Sequence, residues 1–134
     1  MKRAVFIGLI ILSGFELNRY SQKNKDRVKV KPDTIAVDSV KYELIVLDPG
    51  FDSWLLTKPP ENFYSNDYYR LKNIFYVTEW NYRYDNPFKF GNMYDTRIDY
   101  DQFTDYGLDL NYRLYYYFLF FEETNHIKLV DNGR

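Results

Sequence analysis

The chain has 134 residues, a formal net charge of −1 and no cysteine. That length is enough for one domain around one core, and the missing cysteines exclude a disulfide framework, a thiolate nucleophile and a Cys-ligated metal. Charge is unevenly placed: residues 16–33 hold six Lys and Arg against three acids, and the residues beyond hold ten against sixteen. The folded part is therefore acidic, without the clustered cations of a nucleic-acid-binding domain, and no nucleic-acid partner is expected.

The first residues follow the layout of an export signal, with Lys2 and Arg3, an apolar run from Ala4 to Leu12, and the small residues Ser13 and Gly14. Glu16, Asn18 and Arg19 arrive too early for a spanning helix, which takes about 20 apolar residues. Phe15 stands where a lipoprotein signal would place its cysteine. We read 1–15 as a signal-peptide-like segment, 16–33 as a polar basic linker and 34–134 as one globular domain. The expected address is the periplasm or cell envelope. Cleavage and retention of the segment stay open; if retained, it would give peripheral membrane association, with the basic linker near anionic headgroups. A buried first strand or helix competes with this reading, and the polar stretch that follows weighs against it.

Val40 to Leu47 alternates and then turns wholly apolar, the pattern of a strand that becomes buried on both faces. Asp48-Pro49-Gly50 is turn chemistry, and Asp52 is placed to cap a short helix through Trp54 and Leu55 that Pro59-Pro60 must end. A long helix follows, with Ser65 or Asn66 as its cap and Pro87 beyond its end. Tyr64, Tyr68, Leu71, Phe75, Thr78 and Tyr82 lie at alternating four- and three-residue spacing, one stripe that is expected to face the core. Glu79 and Arg83 form an i, i+4 pair. Tyr69, Tyr76, Trp80 and Tyr84 form a second aromatic row on nearly the opposite side.

Residues 86–107 are rich in turns and acids and are expected to be mostly loop. The segment LDLNYRLYYYFLFFEETNHIKL is too long for a typical strand of about 5–6 residues and predicts a central helix, nearly all apolar apart from a narrow polar strip of Asp109, Arg113 and Glu123. Asn125 is placed to take the left-handed C-terminal position, and Ile127 to Val130 to return as a short strand. The fold class is α+β: a small single domain of two long aromatic-rich helices packed with a short strand or small sheet. Leu71, Phe75, Tyr115 and Leu119 are expected in one core over the Val40–Leu47 strand.

Residues able to carry chemistry are sparse. His126, the lone histidine, follows a helix end with no acid or thiol beside it in sequence, so it reads as a helix-terminal cation or surface ring. Asp99 and Asp101 have the oxygen donors that hard cations prefer, but DYDQFTDYGLD lacks the glycine and terminal glutamate of an EF-hand loop. No cofactor and no metal ligand set is expected. Glu79 with Asp99 or Asp101 is a carboxylate pair of the kind used in glycoside hydrolysis, at a separation the sequence does not fix.

The phrases YELIVLDPGFDSWLL, FY…YY…YVTEWNYRY, YDTRIDYD and DYGLDLNYRLYYYFLFFE, in that order, resemble an uncharacterised family of small envelope or lipoprotein-type proteins of the Bacteroidota, over Tyr42 to Leu129. The resemblance implies an envelope location and no assigned reaction. It also implies a lipid-attachment cysteine, from which this chain departs at Phe15.

Two functions of different classes follow. The preferred one is a noncatalytic envelope domain that binds a protein or glycan partner through aromatic surface, with Trp80, Tyr76, Tyr84, Arg83 and Tyr69 as its binding residues. The alternative is a small carboxylate-dependent hydrolase acting on envelope polysaccharide. An enzyme is the less favoured of the two.

Overall fold

The computed structural model describes residues 7–9, 28–35 and 40–131. The signal-like segment, apart from Ile7–Leu9, and the linker up to Arg27 lie outside the described residues. Within them the fold is α+β. Strands β1 (Ile7–Leu9), β2 (Val28–Ile35) and β3 (Val40–Val46) form one sheet in the order β1-β2-β3, with β1 parallel and β3 antiparallel to β2.

β2 begins inside the segment expected to be linker. Val28-Lys29-Val30-Lys31 alternates with the two-residue period of a strand, and Val30 enters the core. Its lysines masked that period among other basic residues. The β2–β3 register shifts between Pro32 and Thr34, where a residue without an N–H interrupts the ladder.

Gly50, at φ 87°, turns the chain out of β3 into helix α1 (Phe51–Leu55). Asp52 does not cap α1; it sits in the first turn and meets Arg113 at 3.2 Å. A 3₁₀ turn over Glu61–Phe63 leads to α2 (Asn66–Asp85). Ser65 is the N-cap, its Oγ accepting from the Tyr68 N–H at 3.1 Å. Pro87 opens the short helix α3 (Pro87–Phe90), as suits a residue with no N–H to place at a first helical position.

Helix α4 (Leu108–Asn125) is the central element. Asp109, Arg113 and Glu123 reach solvent, and Leu114, Tyr117 and Phe118 are fully enclosed. His126, not Asn125, takes the left-handed position that ends α4, at φ 57° and ψ 46°. Asn125 stays helical and donates from Nδ2 to the Phe121 carbonyl at 3.0 Å. The expected Ile127–Val130 strand is absent: Glu122, buried on α4, accepts the N–H groups of Leu129 at 2.6 Å and Val130 at 3.3 Å. With those amides bound to a side chain, the segment has no ladder to join.

The core assignment on α2 is corrected. Leu71 and Phe75 lie outward, 50% and 51% exposed, whereas Tyr69, Tyr76 and Trp80 are buried against α4. Tyr115 belongs to the core as expected, with Leu119 and Leu44 packed into the same cluster.

Candidate functional site

Helix α2 has two apolar faces with the same internal spacing, and the structure gives them opposite roles. Tyr69, Asn73, Tyr76 and Trp80 are separated by four, three and four residues and point inward. Trp80 meets Phe121 edge-on at 4.8 Å and Tyr94 at 4.9 Å between ring centroids, and Tyr76 stacks on Phe118 at 5.0 Å. The same face carries polar handles that reach fixed backbone acceptors. Asn73 Nδ2 donates to the Asn111 carbonyl at 3.0 Å, and Trp80 Nε1 donates to the Thr96 carbonyl at 3.0 Å. Asn81 beside it bonds Ile98 twice, donating to its carbonyl at 2.9 Å and accepting its N–H at 2.8 Å.

The residues expected to form an exposed aromatic platform are therefore not brought together at the surface. Tyr69, Tyr76 and Trp80 are core, because α4 is apolar nearly all round and needs facing rings to cover it. Tyr84 alone of that row is partly open. Arg83 is a clamp: Nε donates to Glu79 at 2.7 Å, Nη1 to the Tyr94 hydroxyl at 3.1 Å and Nη2 to the Lys128 carbonyl at 3.0 Å. Burial opposes its charge, but the Glu79 carboxylate and the Tyr94 oxygen beside it hold its pKa above the ordinary arginine value.

The opposite face presents Leu71, Phe75, Thr78 and Tyr82, also separated by four, three and four residues. Tyr82 is 46% exposed, much like Leu71 and Phe75, and Thr78, also exposed, turns its hydroxyl back to the Ile74 carbonyl at 2.8 Å. A hollow of about 410 Å³, lined by Ile74, Phe75, Thr78, Glu79, Leu129 and Val130, borders the row. A second, of about 200 Å³, is lined by Ile74, Val77, Thr78, Tyr100, Asp101 and Gln102. Both are shallow, and the first is the more apolar. This outward row is the candidate site, and the sequence did show its residues, though as core.

Of the loop carboxylates, Asp101 and Asp105 have structural partners and Asp99 is exposed. Asp101 accepts the Phe103 N–H at 3.2 Å and the Thr104 hydroxyl at 2.6 Å, a closed turn, and the Thr104 hydroxyl holds its carboxyl below the usual range. Asp105 accepts the Gly107 N–H at 3.1 Å, where Gly107 at φ 90° precedes α4. Glu79 and Asp101 line different hollows. Among the described residues, no group of three or more His, Cys, Asp or Glu is placed to hold a metal ion, and no helix is long and apolar enough to cross a membrane.

These features define a small α+β domain with an aromatic interior and, among the described residues, an outward apolar helix face. The chain belongs to a family of unknown function, DUF6146, which it matches over residues 4–133. No curated protein and no solved structure matches it.

Proposed function

We propose that this is a noncatalytic domain of the cell envelope that binds a partner protein through the outward face of α2. The observation that carries the proposal is the exposure of Leu71, Phe75 and Tyr82 in one line on a helix whose other face already satisfies the core. Large apolar side chains gathered in a row, rather than scattered, are the surface feature that marks an interaction site. Leu71 and Phe75 offer no hydrogen bond, which suits an apolar protein face better than a sugar, whose hydroxyls need polar groups beside the ring.

The noncatalytic reading is preferred to a polysaccharide hydrolase because two of the three carboxylates such a hydrolase would use are already engaged, Glu79 by Arg83 and Asp101 by its own turn, while Asp99 is exposed. The envelope address is supported by Lys2, Arg3 and the apolar run from Ala4 to Leu12. The pairing of Ile7–Leu9 with β2 favours a retained segment and supports the competing reading of this run as a first strand of the domain.

Retention of the full chain on immobilised envelope extract tests the surface. Phe75→Ala should abolish retention while leaving the melting temperature unchanged; retention equal to the parent's would reject the row. Cell fractionation with N-terminal sequencing tests the address, which recovery of the chain in the cytosol would overturn.

A further inference from the structure

The outward row has more order than exposure alone requires. Tyr68, partly buried against the core, and the outward Leu71, Phe75, Thr78 and Tyr82 are spaced three, four, three and four, the alternation of a and d positions in a coiled-coil seam. Lys72 and Glu79 then fall at the two e positions, each directly after a d residue. Glu79 is held in place by Arg83 and is still 31% exposed. Lys72 lies over the Tyr68 ring at 5.3 Å, at the edge of the same face.

We infer that the partner of this face is a second copy of the chain, joined through an antiparallel α2–α2 pair about a two-fold axis between Tyr76 and Val77. This rests on the proposal above that the outward row is a contact surface. In that arrangement Leu71 of one copy faces Tyr82 of the other and Phe75 faces Thr78, each contact made twice, so large side chains meet smaller ones. The same axis brings Lys72 beside Glu79 of the second copy and Glu79 beside its Lys72, because e positions meet e positions across an antiparallel seam. The charge pattern of the face is thus complementary to itself. A parallel pair would set Phe75 on Phe75 and leave Glu79 facing Ile74, with only Lys72 matched, to Asp67. Antiparallel α2 helices also oppose their dipoles favourably. The hollows beside the row, bordered by Leu129 and Val130 on one and by Tyr100 and Gln102 on the other, leave room for flanking side chains.

Sedimentation of the purified full chain over a concentration series tests the pairing, with thermal melts confirming that each variant is folded. The parent should dimerise reversibly, and Phe75→Asp or Tyr82→Asp, at two places along the row, should each weaken dimerisation by about tenfold or more. Lys72→Glu and Glu79→Lys should each self-associate more weakly than the parent. A mixture of those two variants should form a heterodimer about tenfold tighter than either variant alone, since their e positions then carry opposite charges throughout.

A chain that stays monomeric up to about 1 mM, a dimer indifferent to both Asp substitutions, or a mixture no tighter than its components would overturn the antiparallel pair; the last is also the result a parallel pair would give. Envelope retention separates this failure from that of the proposed function. A monomeric parent that loses retention on Phe75→Asp rejects only the self-pairing, whereas a monomer whose retention is unchanged rejects both.

Discussion

The two faces of α2 are matched in period and opposed in fate. Tyr69-Asn73-Tyr76-Trp80 and Leu71-Phe75-Thr78-Tyr82 have identical spacing, yet the first is sealed against α4 and the second is about half open. Counted by apolar content, the second row is the better candidate for burial, since the first has an asparagine in its middle. The side-chain N–H donors of the inward face are answered, and its two buried atoms without a hydrogen-bond partner are the Tyr69 hydroxyl and Asn73 Oδ1. Asn73 and Trp80 find backbone carbonyls at hydrogen-bond distance, and buried polar groups with partners are tolerated where lone ones are not. An inward Leu71–Phe75 face would leave the carbonyls of Asn111 and Thr96 without those donors. Apolar period marks a face as buriable; the partners across the interface decide which face is buried.

The sharpest way to break this comparison is at Trp80. Removing its ring takes edge contacts from Phe121 and Tyr94 and a donor from the Thr96 carbonyl, so Trp80→Ala should cost about 3–5 kcal/mol, a large share of a small domain's stability. The domain should be unfolded or nearly so by circular dichroism at room temperature; a melting temperature close to the parent's would show that the inward row is not the core.

Alkaline titration probes the same row without mutation. Burial pushes the phenols of Tyr69, Tyr76, Tyr115 and Tyr116 up, that of Tyr116 from the ordinary 10.0 to about 12. Above pH 10 the unfolded chain therefore sheds protons that the folded chain keeps, and folding stability falls as pH rises. The contribution is complete below pH 10 and is lost as pH rises toward about 12. Tyrosinate absorbance should rise together with the loss of helical signal, as one cooperative transition. Ionisation of all tyrosines near pH 10 with the helices intact would contradict the buried assignment.

A smaller effect is expected at Asn73. Asn73→Ala deletes a buried donor to the Asn111 carbonyl and should cost about 1–3 kcal/mol, read from denaturant midpoints. An effect within about 0.5 kcal/mol would place Asn73 among ordinary surface positions. The least effect belongs to the outward row, where Phe75→Ser should change stability by no more than about 0.5 kcal/mol. A loss comparable to that of Trp80→Ala would mean that the two faces have been assigned the wrong way round.

Much of the framework was legible along the chain. Ser65 and Pro87 bracket α2 in sequence as they do in space, and the long aromatic run of α4 exceeds any ordinary strand. The Glu79–Arg83 pair forms at the distance of a charged hydrogen bond. β2 was concealed because its lysines share a stretch with other basic residues, and a two-residue period over four positions is a weak signal. Ile127–Val130 failed as a strand because Glu122, buried on the preceding helix, takes its amides, an interaction between side chain and backbone that no local pattern announces. The candidate site was visible as a stripe, of which Tyr64 and Tyr68 do pack against the core while Leu71, Phe75, Thr78 and Tyr82 lie on the other side.

The sequence by itself determined what is local. Caps, breakers and period place the two long helices, and the supply of rings ensures an aromatic core. It also determined the order of residues along the outward row, including the placement of Lys72 and Glu79 that makes the face complementary to itself. Only the tertiary structure decided which side of α2 meets α4. Both sides have the period of a buried face, and the choice depends on acceptors at Thr96, Ile98 and Asn111, which lie far along the chain and come within hydrogen-bond distance only when it folds.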